Sequence, residues 1–88
     1  KARGNESQDA YDQVLFERLR QVRYDLAQKH QVPPFIIFSD ATLRALCRHF
    51  PTTETAFLTI SGVGQKKLSQ YGYDFMQAIE AYLAEKDK

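Results

Sequence analysis

Phe57-Leu58-Thr59-Ile60-Ser61-Gly62-Val63-Gly64-Gln65-Lys66-Lys67-Leu68 reads as a short helix, a glycine hairpin and a second helix whose first turn carries two lysines. Glycine enters left-handed backbone without a steric cost, so Gly62 and Gly64 permit a turn tight enough to fold one helix back beside the other. Ile60, Val63 and Leu68 then pack inward. The start of the second helix leaves backbone N–H groups without intrahelical partners and carries about half a positive charge. A glycine ahead of such an end lets an anion approach the backbone closely. Gly64, Lys66 and Lys67 are therefore candidates for phosphate contact. The plain alternative is a packing turn flanked by solvated lysines, and the spacing alone leaves both open.

Upstream, Tyr11, Leu15, Leu19, Val22 and Leu26 fall within about 80° of one another on a helical wheel. They predict a long amphipathic helix from Asp9 or Ala10 to Lys29, with Asp25 and Lys29 as an i,i+4 ion pair. Val32-Pro33-Pro34 stops it, because the residue before a proline is pushed out of the α region. Pro33-Pro34-Phe35-Ile36-Ile37-Phe38 has no partner strand, so it is expected to be an irregular or 3₁₀ connector across the core. Ser39 then caps a helix reaching about Phe50, with Leu43, Leu46, Cys47 and Phe50 on one face and Arg44 and Arg48 on the opposite flank. Pro51 ends it, and Thr52 or Thr53 caps the short helix running to Leu58.

Downstream, a helical unit covers Gln65 to Gln70 and is expected to break at Gly72. The last helix, Tyr73 to about Glu85, is expected to bury Phe75, Ile79, Tyr82 and Leu83. The sum is an all-α chain, a compact five-helix bundle containing a helix-hairpin-helix type of Gly-Val-Gly turn. Lys1 to Gln8, polar and aperiodic, reads as a tail or linker, leaving 9–88 as the domain.

The 88 residues suffice for one core, and the 43% of apolar residues can fill it without staples. A formal net charge of only +1 excludes a strongly basic nucleic-acid protein, so any such binding must come from local clustering. Cys47 is the only cysteine, which rules out an internal disulfide and suits a reducing cytosol; its place on an apolar stripe predicts a buried, inert thiol. There is no 18-residue apolar run and no signal-peptide core, so a soluble, cytoplasmic domain is expected.

Little here suggests catalysis. His30 and His49 do not cluster with other ligands, and Ser61-Gly62-Val63-Gly64 lacks the order of a nucleophile elbow and the glycine count of a P-loop. No catalytic residue, metal or cofactor is expected. Two other patches remain. Phe16, Arg20, Arg23 and Tyr24 lie on one flank of the first helix, where Arg20 and Arg23 could follow a nucleic-acid backbone, although Glu17 partly neutralises Arg20 and the aromatics could pack on the last helix. Phe35 follows two rigid prolines in a run of four large apolar residues that are not easily all buried. One exposed aromatic there would stack single-stranded bases; as a core residue it would not.

In this order the parts resemble an HRDC domain, the helicase-and-RNase-D C-terminal module. The matching residues are Leu15-Phe16-x-x-Leu19-Arg20, then Val32-Pro33-Pro34-Phe35-Ile36-Ile37-Phe38-Ser39-Asp40-Ala41-Thr42-Leu43. Pro51 follows, then Leu58-x-x-Ile60-x-Gly62-Val63-Gly64-x-x-Lys67-Leu68, and Tyr71-Gly72 before the last helix. The resemblance covers about residues 9–85. It implies a five-helix accessory domain, most often of a RecQ-type ATP-dependent DNA helicase, that binds single-stranded or branched DNA weakly and helps place a motor carried by other domains. Phe35 occupies the place of the aromatic that contacts single-stranded DNA in bacterial relatives; several of those carry tyrosine, so a hydroxyl is missing here while stacking is kept. The implied partners are such DNA and the helicase core of the same chain, with no membrane and a monomeric state. Two other readings stand beside it: a protein-interaction or intramolecular docking module, and an RNA-binding module of an RNase-D-like exonuclease.

Overall fold

The computed structural model describes residues 10–87, and the expected tail at 1–8 lies outside the described residues. Helix α1 spans Gln13–His30, α2 Pro34–Ile37, α3 Asp40–His49 and α4 Glu54–Leu58. Gln65–Lys67, Leu68–Gly72 and Tyr73–Lys86 follow one another with helical backbone at each junction, so residues 65–86 form a single helix, α5. The described residues therefore form five helices and no strand.

Helix α1 begins later than its apolar stripe suggests. Asp12 is extended, and its Oδ1 accepts from the Leu15 amide at 3.0 Å, a side-chain cap that fixes the first helical residue at Gln13. Tyr11, still on the stripe, packs against the core from outside the helix. The helix ends at His30, one residue beyond the expected Lys29, because Gln31 turns left-handed (φ 58°) and the Val32 amide reaches back to the Ala27 carbonyl at 3.0 Å. The Asp25 carboxylate accepts from Gln21 Nε2 at 3.0 Å in place of the expected pairing with Lys29.

The connector is a turn of α-helix, where an irregular or 3₁₀ segment was expected. Pro33 is extended, Pro34 starts α2 with its φ already set, and the Ile36 amide donates to the Pro33 carbonyl at 3.0 Å. This one turn divides the apolar run: Ile37 and Phe38 are fully buried, while Phe35 and Ile36 face solvent. Phe38 meets Phe75 edge-on at 5.0 Å and Phe57 at 6.2 Å, three buried rings joining α2, α4 and α5. Contacts of this kind contribute about 0.5–1.5 kcal/mol each beyond their buried area.

Ser39 caps α3 and Thr53 caps α4, each side chain accepting from the amide three residues on. Phe50, expected at the end of α3, is its left-handed cap. Ile60, Val63 and Leu68 are buried, as the hairpin reading requires. Gly72 does not break the last helix. It lies inside a π-turn, where a Cβ would stand 2.5 Å from Leu68 Cδ1 and 3.5 Å from Phe57 Cε2. Its missing side chain serves close packing, and the extra residue of the π-turn lets the helix run on past α4.

Helix α1 packs against α2, α3 and the C-terminal part of α5. Asp12 ties these together: besides capping α1, it accepts from the Tyr82 hydroxyl at 2.7 Å, and its amide donates to the Cys47 carbonyl at 3.1 Å. Burial pushes the Asp12 carboxyl up, but the Leu15 amide, the Tyr82 hydroxyl and Lys86 outweigh it and hold the group below its ordinary 3.8. A lowered folded value makes the stabilisation complete above about pH 4, with loss as the pH falls through that value. Asp12→Ala should cost about 0.5–2 kcal/mol at neutral pH from the cap alone. Its urea midpoint should also fall less between pH 6 and pH 3 than the wild type's; parallel losses would mean that Asp12 carries no pH-linked stability.

Candidate nucleic-acid interface

Phe35 is 67% exposed, the most exposed large hydrophobic side chain among the described residues. Its position follows from the local backbone: Pro33 and Pro34 fix the start of α2, and burial of Ile37 and Phe38 anchors its end. An aromatic face is therefore held in solvent on a rigid turn, which reduces the ordering cost of stacking a planar ligand.

The first-helix patch and the connector come together. Glu17, Arg20, Gln21, Arg23, Tyr24 and Pro34 line one groove between α1 and α2, and Phe35 is the next residue after its Pro34 wall. The two arginines in this groove differ. Arg23 Nη1 donates to the Phe38 carbonyl at 2.9 Å and its Nη2 pairs with Asp40 Oδ1 at 2.8 Å, leaving the side chain 12% exposed. It is a strut that holds the connector against the start of α3, and its donors are engaged there. Arg20 Nη1 is 3.0 Å from Glu17 Oε1, with both side chains more than half exposed. Exposed pairs of this type are worth about 0–1 kcal/mol, so a phosphate can displace Glu17 at small cost. Helical spacing gave Arg20 and Arg23 the same standing; only the neighbouring Phe38 carbonyl and Asp40 separate them.

The hairpin is tied to α3. Thr42 of α3 accepts from Ser39 and donates Oγ1–H to the Ser61 carbonyl at 3.1 Å, fastening the turn to α3. Lys67 is half-buried, with Nζ 6.0 Å from the centroid of the Phe38 ring, and Lys66 is exposed. Gly64 precedes α5 with no side-chain cap, it is exposed, and a Cβ there would meet nothing within 4 Å. Thr42 and Asp12 were missed in the sequence. A Ser-x-x-Thr pair at a helix start offers only a faint signal for the first, and an Asp ahead of the periodic leucines a clearer one for the second.

Cys47 is fully buried, and burial pushes its thiol up to about 12, which removes it as a nucleophile at neutral pH. Among the described residues no three His, Cys, Asp or Glu side chains are grouped to hold a metal ion, and no helix is long and apolar enough to cross a membrane.

This arrangement of helices has known counterparts. The chain is 43% identical over 74 residues to the ATP-dependent DNA helicase RecQ of Haemophilus influenzae, covering 84% of this chain and 12% of that protein. It is 47% identical over 68 residues to the RecQ of Bacillus subtilis, covering 77% of this chain and again 12% of the relative. The chain thus spans about one eighth of the length of these curated relatives. Among solved structures, HRDC domain 3 of the Deinococcus radiodurans RecQ superposes with a TM-score of 0.76 at 33% identity, over 78% of this chain and 91% of that one. A family model of the HRDC domain matches residues 12–79, from the α1 cap through the buried Ile79 of α5, and the chain belongs to the HRDC family.

Proposed function

We propose that this chain is the accessory DNA-binding domain of a RecQ-type ATP-dependent DNA helicase, engaging single-stranded or branched DNA weakly and helping the motor reach its substrate. The observation that carries the reading is Phe35, an exposed ring on a proline-fixed turn beside the Arg20 groove. Stacking is sequence-tolerant, since every base has a π-face, and it suits a chain whose net charge is only +1. The relatives above are both helicases, which favours a helicase parent over a nuclease. Phosphate contacts fall to Arg20, to Lys66 and Lys67, and to the Gly64 amide. Arg23 contributes by holding the turn that presents Phe35.

A second reading, docking onto the helicase core of the same chain, draws on the apolar surface of Phe35 and Ile36 and on the near-neutral charge. An amide NMR titration with a short single-stranded DNA separates the two. DNA binding gives shifts around α2, the Arg20 flank or the hairpin that shrink as salt is raised. No shifts at about millimolar DNA, weaker than ordinary non-specific binding, would transfer the function to docking.

A further inference from the structure

Tyr24 is 53% exposed and lies outside the core and the side chains packed on it. Among the described residues neither Tyr24 nor Phe35 is paired with another aromatic ring. Tyr24 and Pro34 face each other across the α1–α2 seam, and the two together line two adjoining grooves. The first groove holds Arg20, the cation of the pair that is free of the core. The second carries no charged side chain and adds the carboxamides of Gln28 and Gln31, both exposed.

We infer that this seam is the path of a single nucleic-acid strand, with Tyr24 as a second stacking platform beside Phe35. The inference rests on the DNA-binding reading and deepens it by naming the track and its residues. The chemistry changes along the seam in the way a strand requires. Arg20 takes a phosphate after releasing Glu17, the two rings take base faces, and Gln28 and Gln31 offer donors and acceptors to base edges. A protein partner would use the apolar rings but has no need of a cation at one end and paired carboxamides at the other. The seam itself supplies one available cation, so its own share of the salt response is shallow: about a threefold loss of affinity from 50 to 200 mM for a single phosphate contact on a single strand.

The test titrates the 88-residue chain with an oligothymidylate of about eight nucleotides, a length within the span of common single-strand sites. Tyr24→Ala and Tyr24→Leu should each weaken binding at least about fivefold, the lower end for loss of one base stack, with melting unchanged. Tyr24→Phe should bind as the wild type does. If Phe35→Ala loses affinity while both Tyr24 variants bind normally, the seam path is wrong and the DNA-binding reading stands. If Lys66→Ala/Lys67→Ala alone abolishes binding, the strand runs on the hairpin face and the inference is overturned. A wild-type chain that fails to bind overturns both.

Discussion

Gly62→Ala is expected to destabilise the domain by about 2–4 kcal/mol, combining the cost of left-handed backbone with that of forcing an atom into a filled site. Gly62 has φ 92°, which L side chains rarely adopt, and an added Cβ would overlap Thr42 Oγ1. Thr42 cannot yield freely. It is buried, and its hydroxyl holds the Ser61 carbonyl while accepting from Ser39. Turning it away would leave a buried polar group unpaired. For a domain of this size the loss corresponds to a fall in melting temperature of roughly 10–25 °C.

Gly64→Ala makes the control two residues away. That position has φ −105° and open space around it, so alanine should be neutral or stabilising by up to about 1 kcal/mol. Adding Thr42→Ala to Gly62→Ala should recover part of the loss, because the overlap disappears and the backbone strain stays. Thermal melts of the three variants beside the wild type decide the matter. Equal melting of Gly62→Ala and Gly64→Ala would show that the hairpin imposes no steric demand on its first glycine.

Phe35→Ala is expected to weaken binding to single-stranded DNA by about 5- to 150-fold, the range for loss of one aromatic stack, with stability changed by less than about 0.5 kcal/mol. The ring is two-thirds exposed, so its removal leaves no cavity. Phe35→Tyr should retain affinity, since the stacking face survives. Phe38→Ala, three residues on, should do the reverse. That ring is 1% exposed and packed between Phe57 and Phe75, and its deletion should cost about 3–5 kcal/mol. Fluorescence anisotropy with a labelled oligonucleotide, beside a urea melt, reads both effects. A Phe35→Ala variant that melts early would make the ring a structural element, and one that binds normally would remove it from the site.

The fold was legible wherever local chemistry and burial agree. Leucines and an apolar stripe at helical spacing marked α1, Ser39 and the Thr52-Thr53 pair marked the starts of α3 and α4, and two glycines among Ile60, Val63 and Leu68 marked the hairpin. Each of these signals lies within a few residues of the feature that it fixes. The errors have equally definite causes. Gly72 looked like a stop because glycine weakens helices, yet tertiary contact with Phe57 and Leu68 uses its missing side chain to pass two helices closely. The connector looked irregular because nothing local shows that Ile37 and Phe38 would be pulled inward, which closes a helical turn.

The residues of the candidate interface divide along the same line. The sequence by itself determined that a rigid proline pair precedes an aromatic, and that four large apolar residues in a row are not easily all buried. It also determined that the chain carries no general excess of positive charge, so any nucleic-acid binding must come from a local patch. Only the tertiary structure decided which ring is outside, because that depends on how one helical turn is rotated against a core built from the four other helices. It alone separated Arg20 from Arg23, since the groups that claim Arg23, the Phe38 carbonyl and Asp40, lie 15 and 17 residues further along the chain. And it alone set Tyr24 across from Pro34, because no periodicity in one helix records what packs beside it.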